Sequence, residues 1–107
     1  THPSVLTLIA NCIAVARRHN IWVSVCGQIA GDPTFTQLLV GLGVHELSMP
    51  PAMLGPVRRV IRKLKMSEAE QAAQTVLECE TAEKALTVSL EMLRRAAPEI
   101  AALIAPE

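Results

Sequence analysis

The chain has 107 residues, enough for one small domain with a single modest core. Half of the residues are hydrophobic, which excludes a disordered segment, and ten Lys+Arg against ten Asp+Glu exclude a generic basic nucleic-acid binder. One Phe, one Trp and no Tyr leave almost nothing for bases to stack on. The longest apolar runs fall far short of the ~20 residues of a membrane span, and no basic segment followed by an apolar one opens the chain. Neither membrane insertion nor secretion is expected. Cys12, Cys26 and Cys79 are odd in number and form no C-x-x-C pair, which argues against a disulfide framework or structural zinc and for a reducing, cytoplasmic location. Thr1-His2-Pro3 reads as the start of a helix rather than of a protein, so a longer parent chain is expected.

The balanced charge hides an asymmetry. Residues 1–65 carry seven basic and two acidic side chains, a net of +5; residues 66–107 carry three and eight, a net of −5. The two parts are expected to attract one another or to occupy different layers of an assembly. No Gly/Ser linker, low-complexity tract or repeat separates them.

Val5, Leu8, Ile9, Cys12, Ile13 and Ala16 fall at helical spacing, with Pro3 suited to the first turn and Arg17, Arg18 and His19 to the last. Asn20 ends that helix. The β-branched run Ile21–Cys26, closed by Gly27, predicts a strand. After a loop containing Gly31, Asp32-Pro33 predicts an N-cap with proline at the first helical position, and the helix runs through Leu38, Leu39 and Leu42 to Gly43. Val44–Met49 predicts a second strand, broken by Pro50-Pro51. Pro56 is then expected to open a helix with Val57, Val60, Ile61 and Leu64 inward and Arg58, Arg59, Arg62, Lys63 and Lys65 outward, a solvated basic face. Ser67 and Glu70 fit a capping box for the next helix. A last helix follows Thr81, carries Leu86, Leu90 and Leu93, and is interrupted at Pro98.

The order α-β-α-β-α-α-α predicts an α/β fold whose two strands, joined through a helix, are parallel neighbours. Two parallel strands leave two open edges, and parallel sheets occur almost only when covered on both faces. The sheet is therefore expected to be incomplete, drawing further strands from an upstream segment or from other copies of the chain.

Side chains alternate along a strand, so Trp22, Ser24 and Cys26 share one face and Val23 and Val25 the other. The valine face belongs against helices. Cys26 falls at the carboxyl end of its strand, where α/β proteins keep their ligand sites, and Gly27 and Gly31 permit a sharp turn close to a ligand. Glu46 and Ser48 share a face of the second strand and are expected to satisfy an interior polar network. Cys12 and Cys79 are expected on helices and read as core or surface filler. His2, His19 and His45 have no ligand-like spacing and read as surface residues. From residues alone, the chain is an α/β piece with one suggestive thiol.

Trp22-Val23-Ser24-Val25-Cys26-Gly27-Gln28-Ile29-Ala30-Gly31-Asp32-Pro33 resembles the cysteine-bearing motif of the phosphoenolpyruvate-utilising enzymes. The resemblance continues through Leu38–Met49, through Val57–Arg62 and, upstream, through His2-Pro3-Ser4-Val5-Leu6. Within that group the chain is most similar to the phosphoenolpyruvate–protein phosphotransferases (Enzyme I of the bacterial sugar phosphotransferase system), whose C-terminal helices Ser67–Ala72 and Thr81–Leu86 look like. The resemblance implies a (β/α)8 TIM barrel that binds phosphoenolpyruvate. Residues 1–65 would supply its last two βα units, about a quarter of the barrel, and residues 66–107 acidic helices packed on it. It implies Cys26 as the proton donor to C3 of enolpyruvate, with Gly27 beside the substrate. It also implies magnesium held by upstream carboxylates, with no metal ligand in this chain, together with a histidine and a phosphocarrier protein as phosphoryl acceptors and a homo-oligomeric assembly. A thiol suits the role: it keeps its proton at neutral pH yet releases it far more readily than a serine hydroxyl. Gln28 departs from the Glu that many relatives carry, keeping the hydrogen-bonding shape and losing the charge. Pyruvate phosphate dikinase or phosphoenolpyruvate synthase, and a non-catalytic dimerisation module, are the competing readings.

Overall fold

A computed structural model describes residues 2–104. Helix α1 (Pro3–Arg18) is capped by His2, whose Nδ1 accepts the Ser4 N–H at 3.0 Å. A residue expected to be plain surface thus satisfies one of the orphan donors of the first turn. Arg17 and Arg18 occupy the last turn, and Asn20 (φ 53°) turns the chain out through a left-handed conformation that its short amide tolerates. The apolar stripe of α1 splits. Leu6 and Ile13 are buried toward α4, whereas Val5, Leu8 and Cys12 face outward.

Strands β1 (Ser24–Val25) and β2 (Glu46–Leu47) run parallel, Ser24 opposite Glu46 and Val25 opposite Leu47. Both are much shorter than the expected Ile21–Cys26 and Val44–Met49. The ladder rests on Val23 O, which accepts from the N–H groups of His45 and Glu46, and Val25 O, which accepts from Ser48. Ile21 and Trp22 lie exposed before that zone, and Pro50 has no N–H to extend it. Glu46 and Ser48 are likewise exposed, so the interior polar network expected around them is not formed among the described residues.

Helix α2 (Pro33–Leu42) is the centre of the molecule. Asp32 Oδ1 accepts the Thr34 N–H, Pro33 takes the first position, and Gly43 (φ 102°) closes the helix in the left-handed region. Every residue from Pro33 to Leu39 is buried. Gly41 lets α4 (Met66–Leu77) cross closely: a Cβ there would overlap the Ala69 carbonyl.

Helix α3 spans Pro51–Lys63, one turn and more ahead of the expected start at Pro56. Pro51 fits the first position after Pro50, and Pro56 sits so near the amino end that its missing N–H leaves only one early carbonyl unpaired. Val57 and Val60 are buried as expected, but Ile61 is exposed. The capping box is also absent: α4 begins at Met66 with Lys65 as an N-cap that makes no side-chain bond, which places Ser67 inside the first turn. Helix α5 (Ala82–Ala96) is capped by Thr81, whose hydroxyl accepts the Lys84 N–H. Pro98 does not merely end that helix; it opens α6 (Pro98–Ile104).

Two apolar clusters hold these elements. Leu6, Phe35, Leu38, Ala72, Val76 and Ala85 join α1, α2, α4 and α5. Val60, Leu93, Ala97, Ile100 and Ala101 join α3, α5 and α6. Among the described residues the architecture is α/β, rich in helix around one two-stranded parallel sheet.

Candidate functional site at the carboxyl end of the strands

Cys26 follows β1 directly and its side chain is exposed at the end of the sheet. The parallel register that sets Val25 opposite Leu47 carries Ser48 alongside it, bonded through its N–H to Val25 O at 2.9 Å. Gly27 then adopts φ 97° and ψ −170°, a region essentially restricted to glycine. No atom lies within 4 Å of where its Cβ would stand, so the glycine is required by backbone conformation and leaves open space beside the thiol. A 3₁₀ turn over Gln28–Gly31 reverses the chain into Asp32 and α2, a turn where the sequence suggested only a loop.

Gly31 makes the second close approach. A Cβ on it would stand 3.2 Å from Met49 Cβ and 3.5 Å from Met53 Cγ. The two strand ends and the start of α3 are thereby drawn around one open cavity of about 730 Å³. Cys26, Gly27, Gln28 and Ser48 form its polar side, and Met49, Pro50, Met53 and Ile104 its apolar side. Asp32 serves twice, capping α2 and lining the cavity. Sequence reasoning missed Asp32 as a lining residue and missed both methionines. Asp32 was visible only as a cap, and the methionines come close only because Gly31 lets them.

The remaining singled-out residues lie elsewhere. Cys12 is exposed on α1, and Cys79 is half-buried just past α4, its thiol donating to Thr75 O at 3.4 Å. His45 accepts the Val23 N–H through Nδ1 at 3.1 Å and stacks on Trp22. Among the described residues no Lys, Arg or His lines the Cys26 cavity, and no three His, Cys, Asp or Glu side chains converge as a metal site. The cavity offers a thiol, an amide, a hydroxyl and an apolar wall, but no counter-charge for a phosphate.

The profile described as PEP-utilising enzyme, PEP-binding domain, matches residues 1–66, which contain the cavity's thiol, both glycines and both methionines. The chain belongs to this family. A multiphosphoryl transfer protein of Xanthomonas campestris pv. campestris is 48% identical over 83 residues, 78% of this chain and 10% of the relative. Phosphoenolpyruvate-protein phosphotransferases of Geobacillus stearothermophilus and Staphylococcus carnosus are 38% identical over 86 residues and 33% over 95. Those alignments cover 80% and 89% of this chain but only 15% and 17% of the relatives. The chain therefore spans less than a fifth of the length of these relatives. The likeness outruns the 66 residues of the PEP-binding profile, so it reaches the helices after α3 as well. No helix among the described residues is long and apolar enough to cross a membrane.

Proposed function

We propose that this chain is the thiol-bearing part of a PEP-dependent protein phosphotransferase, and that Cys26 protonates enolpyruvate. The observation that carries the reading is the Cys26 sulfur, exposed at the carboxyl end of β1 over a cavity with an apolar wall. In the reaction the P–O bond of phosphoenolpyruvate breaks and the phosphoryl group passes to a histidine nitrogen on another domain, then to a phosphocarrier protein. The electron pair left on the enolate forms a C3–H bond with the thiol proton, giving pyruvate and a thiolate that water reprotonates. Met49 and Met53 suit the uncharged C3 end of the substrate, and the open space over Gly27 admits it beside the sulfur.

In this reading residues 1–65 are the last two βα units of a (β/α)8 barrel, with residues 66–107 packed on its outside. The open edges of β1 and β2, and the outward Val5, Leu8 and Cys12 of α1, support a sheet that continues beyond this chain. Phosphoryl transfer needs charge neutralisation that the cavity does not contain, so the cationic and magnesium-binding groups belong to the remainder of the barrel. The names of the similar proteins favour a protein phosphotransferase over a nucleotide-using dikinase.

Cys26→Ala in the complete protein is expected to abolish pyruvate formation while leaving the circular dichroism spectrum unchanged. Unchanged steady-state turnover would reject the role of the thiol. The 107-residue chain by itself is expected to form no pyruvate from phosphoenolpyruvate and magnesium; turnover by the isolated chain would show that the missing groups are not needed.

A further inference from the structure

A second cavity, of about 830 Å³, lies between α2, α4 and α5 and shares no lining residue with the Cys26 cavity. Its most unusual member is Gln37. This side chain is only 6% exposed, sits within the continuously buried run of α2, and makes none of the side-chain hydrogen bonds found among the described residues. The residue lines the groove. A leucine would fill the same space without leaving an amide to satisfy.

The charged side chains around Gln37, Lys65, Glu91 and Arg95, are exposed at the groove and weakly paired. Arg95, in the last turn of α5, has no carboxylate within 4.0 Å among the described residues, and Lys65 reaches Glu68 only at 4.0 Å. Lys65 stands at the start of α4, whose first N–H groups have no side-chain cap and whose dipole is positive there. Glu91 lies one turn before Arg95 and has no cation within 4.0 Å. Val88, Met92 and Ala72 supply an apolar wall. The groove thus offers cationic groups, a carboxylate, a neutral amide and a hydrocarbon surface together.

We propose that this groove binds a free α-amino acid with a branched aliphatic side chain. Its carboxylate is held by Arg95 and Lys65, its ammonium by Glu91, and its side chain by Val88 and Met92, with the Gln37 amide bonding the polar head. A simple fatty acid would leave Glu91 unanswered, and an alkylamine would leave Arg95 so. The site is remote from Cys26 and does not depend on the function proposed for the thiol.

The test is titration of the 107-residue chain with L-leucine, followed by amide and methyl NMR, with 4-methylpentanoate and 3-methylbutylamine as probes lacking one charge. Saturable shifts confined to the Gln37 amide, the Met92 methyl and neighbours on α4 and α5 are expected. Gln37→Leu and Arg95→Gln should each weaken L-leucine binding about tenfold, roughly one charge-assisted hydrogen bond, while the amide dispersion of the fold is kept. Both single-charge probes should bind more weakly than the amino acid. No saturable shift up to about 10 mM L-leucine in a chain with dispersed amides, a regime weaker than millimolar affinity, would overturn the proposal. So would equal binding of 4-methylpentanoate, or shifts centred on Cys26.

Discussion

The indole of Trp22 lies parallel to the imidazole of His45, with ring centroids 6.2 Å apart and an interplanar angle of 2°. The same imidazole accepts the Val23 N–H, so one side chain ties the approach to β1 onto the approach to β2. Trp22 is 77% exposed, so burial does not fix its position. His45→Ala is expected to destabilise the chain by about 0.5–1.5 kcal/mol, the range of one aromatic pair or one net hydrogen bond. Trp22 is the sole tryptophan, so its fluorescence reports this place alone. An emission maximum and quenching constant unchanged by His45→Ala would show that the stack is not held in solution.

Close approach of α2 and α4 depends on Gly41. A Cβ there would overlap the backbone carbonyl of Ala69, and a backbone cannot swing aside as a side chain tip can. Gly41→Ala is therefore expected to destabilise the fold by about 1–3 kcal/mol through overpacking, despite the better helix propensity of alanine. Urea denaturation checks this. Increased stability would mean that the two helices separate without loss.

Much of the helical frame was legible in the sequence because caps are local. Pro3, Asp32-Pro33, Gly43 and Thr81 each act on backbone groups within a few residues, and each does so here. The failures concern features settled at a distance. Strand length depended on where β1 and β2 run side by side, not on how many β-branched residues stood in a row. Pro56 looked like a helix start because proline is favoured there, but Pro51 offered the same fit one turn and more earlier. For the site, Cys26 and Gly27 were readable as a thiol and a turn at a strand end. Asp32, Met49 and Met53 were not, because only the Gly31 approach gathers them. Gln37 was invisible, since helical periodicity cannot say which polar residue a neighbouring helix will cover.

Thr36 is fully buried on α2, and its Oγ1 has no hydrogen-bond partner. Unlike Ser89, whose buried hydroxyl donates to Ala85 O at 2.8 Å, it does not bond back to its own helix. An unpaired buried hydroxyl carries a desolvation penalty that a methyl of the same shape avoids. Thr36→Val is expected to stabilise the chain by about 1 kcal/mol, a rise in Tm of several degrees for a domain of this size. A lower Tm would show that the hydroxyl is satisfied in solution.

Lys63 and Glu99 link the end of α3 to the start of α6. The hydrogen bond from Lys63 is the main reason that the Glu99 carboxyl titrates below its ordinary 4.5; its own backbone N–H and the positive charges of Lys63 and Arg59 act in the same direction. A carboxyl with a lowered folded-state pKa stabilises the fold above its unfolded pKa, and that contribution is lost as pH falls through the folded value. The docking of α6 should therefore weaken only below about pH 4.5 and hold steady through neutrality. Both side chains are exposed, so the effect should be small and should shrink in salt. Carboxyl carbon NMR of Glu99 provides the measurement. Lys63→Met is expected to return its titration toward 4.5 and to speed amide exchange at Ala101, which packs in the α3–α5–α6 cluster. A Glu99 titration indifferent to Lys63→Met would mean that the pair does not persist in solution and that α6 is held by Ile100 and its apolar neighbours alone.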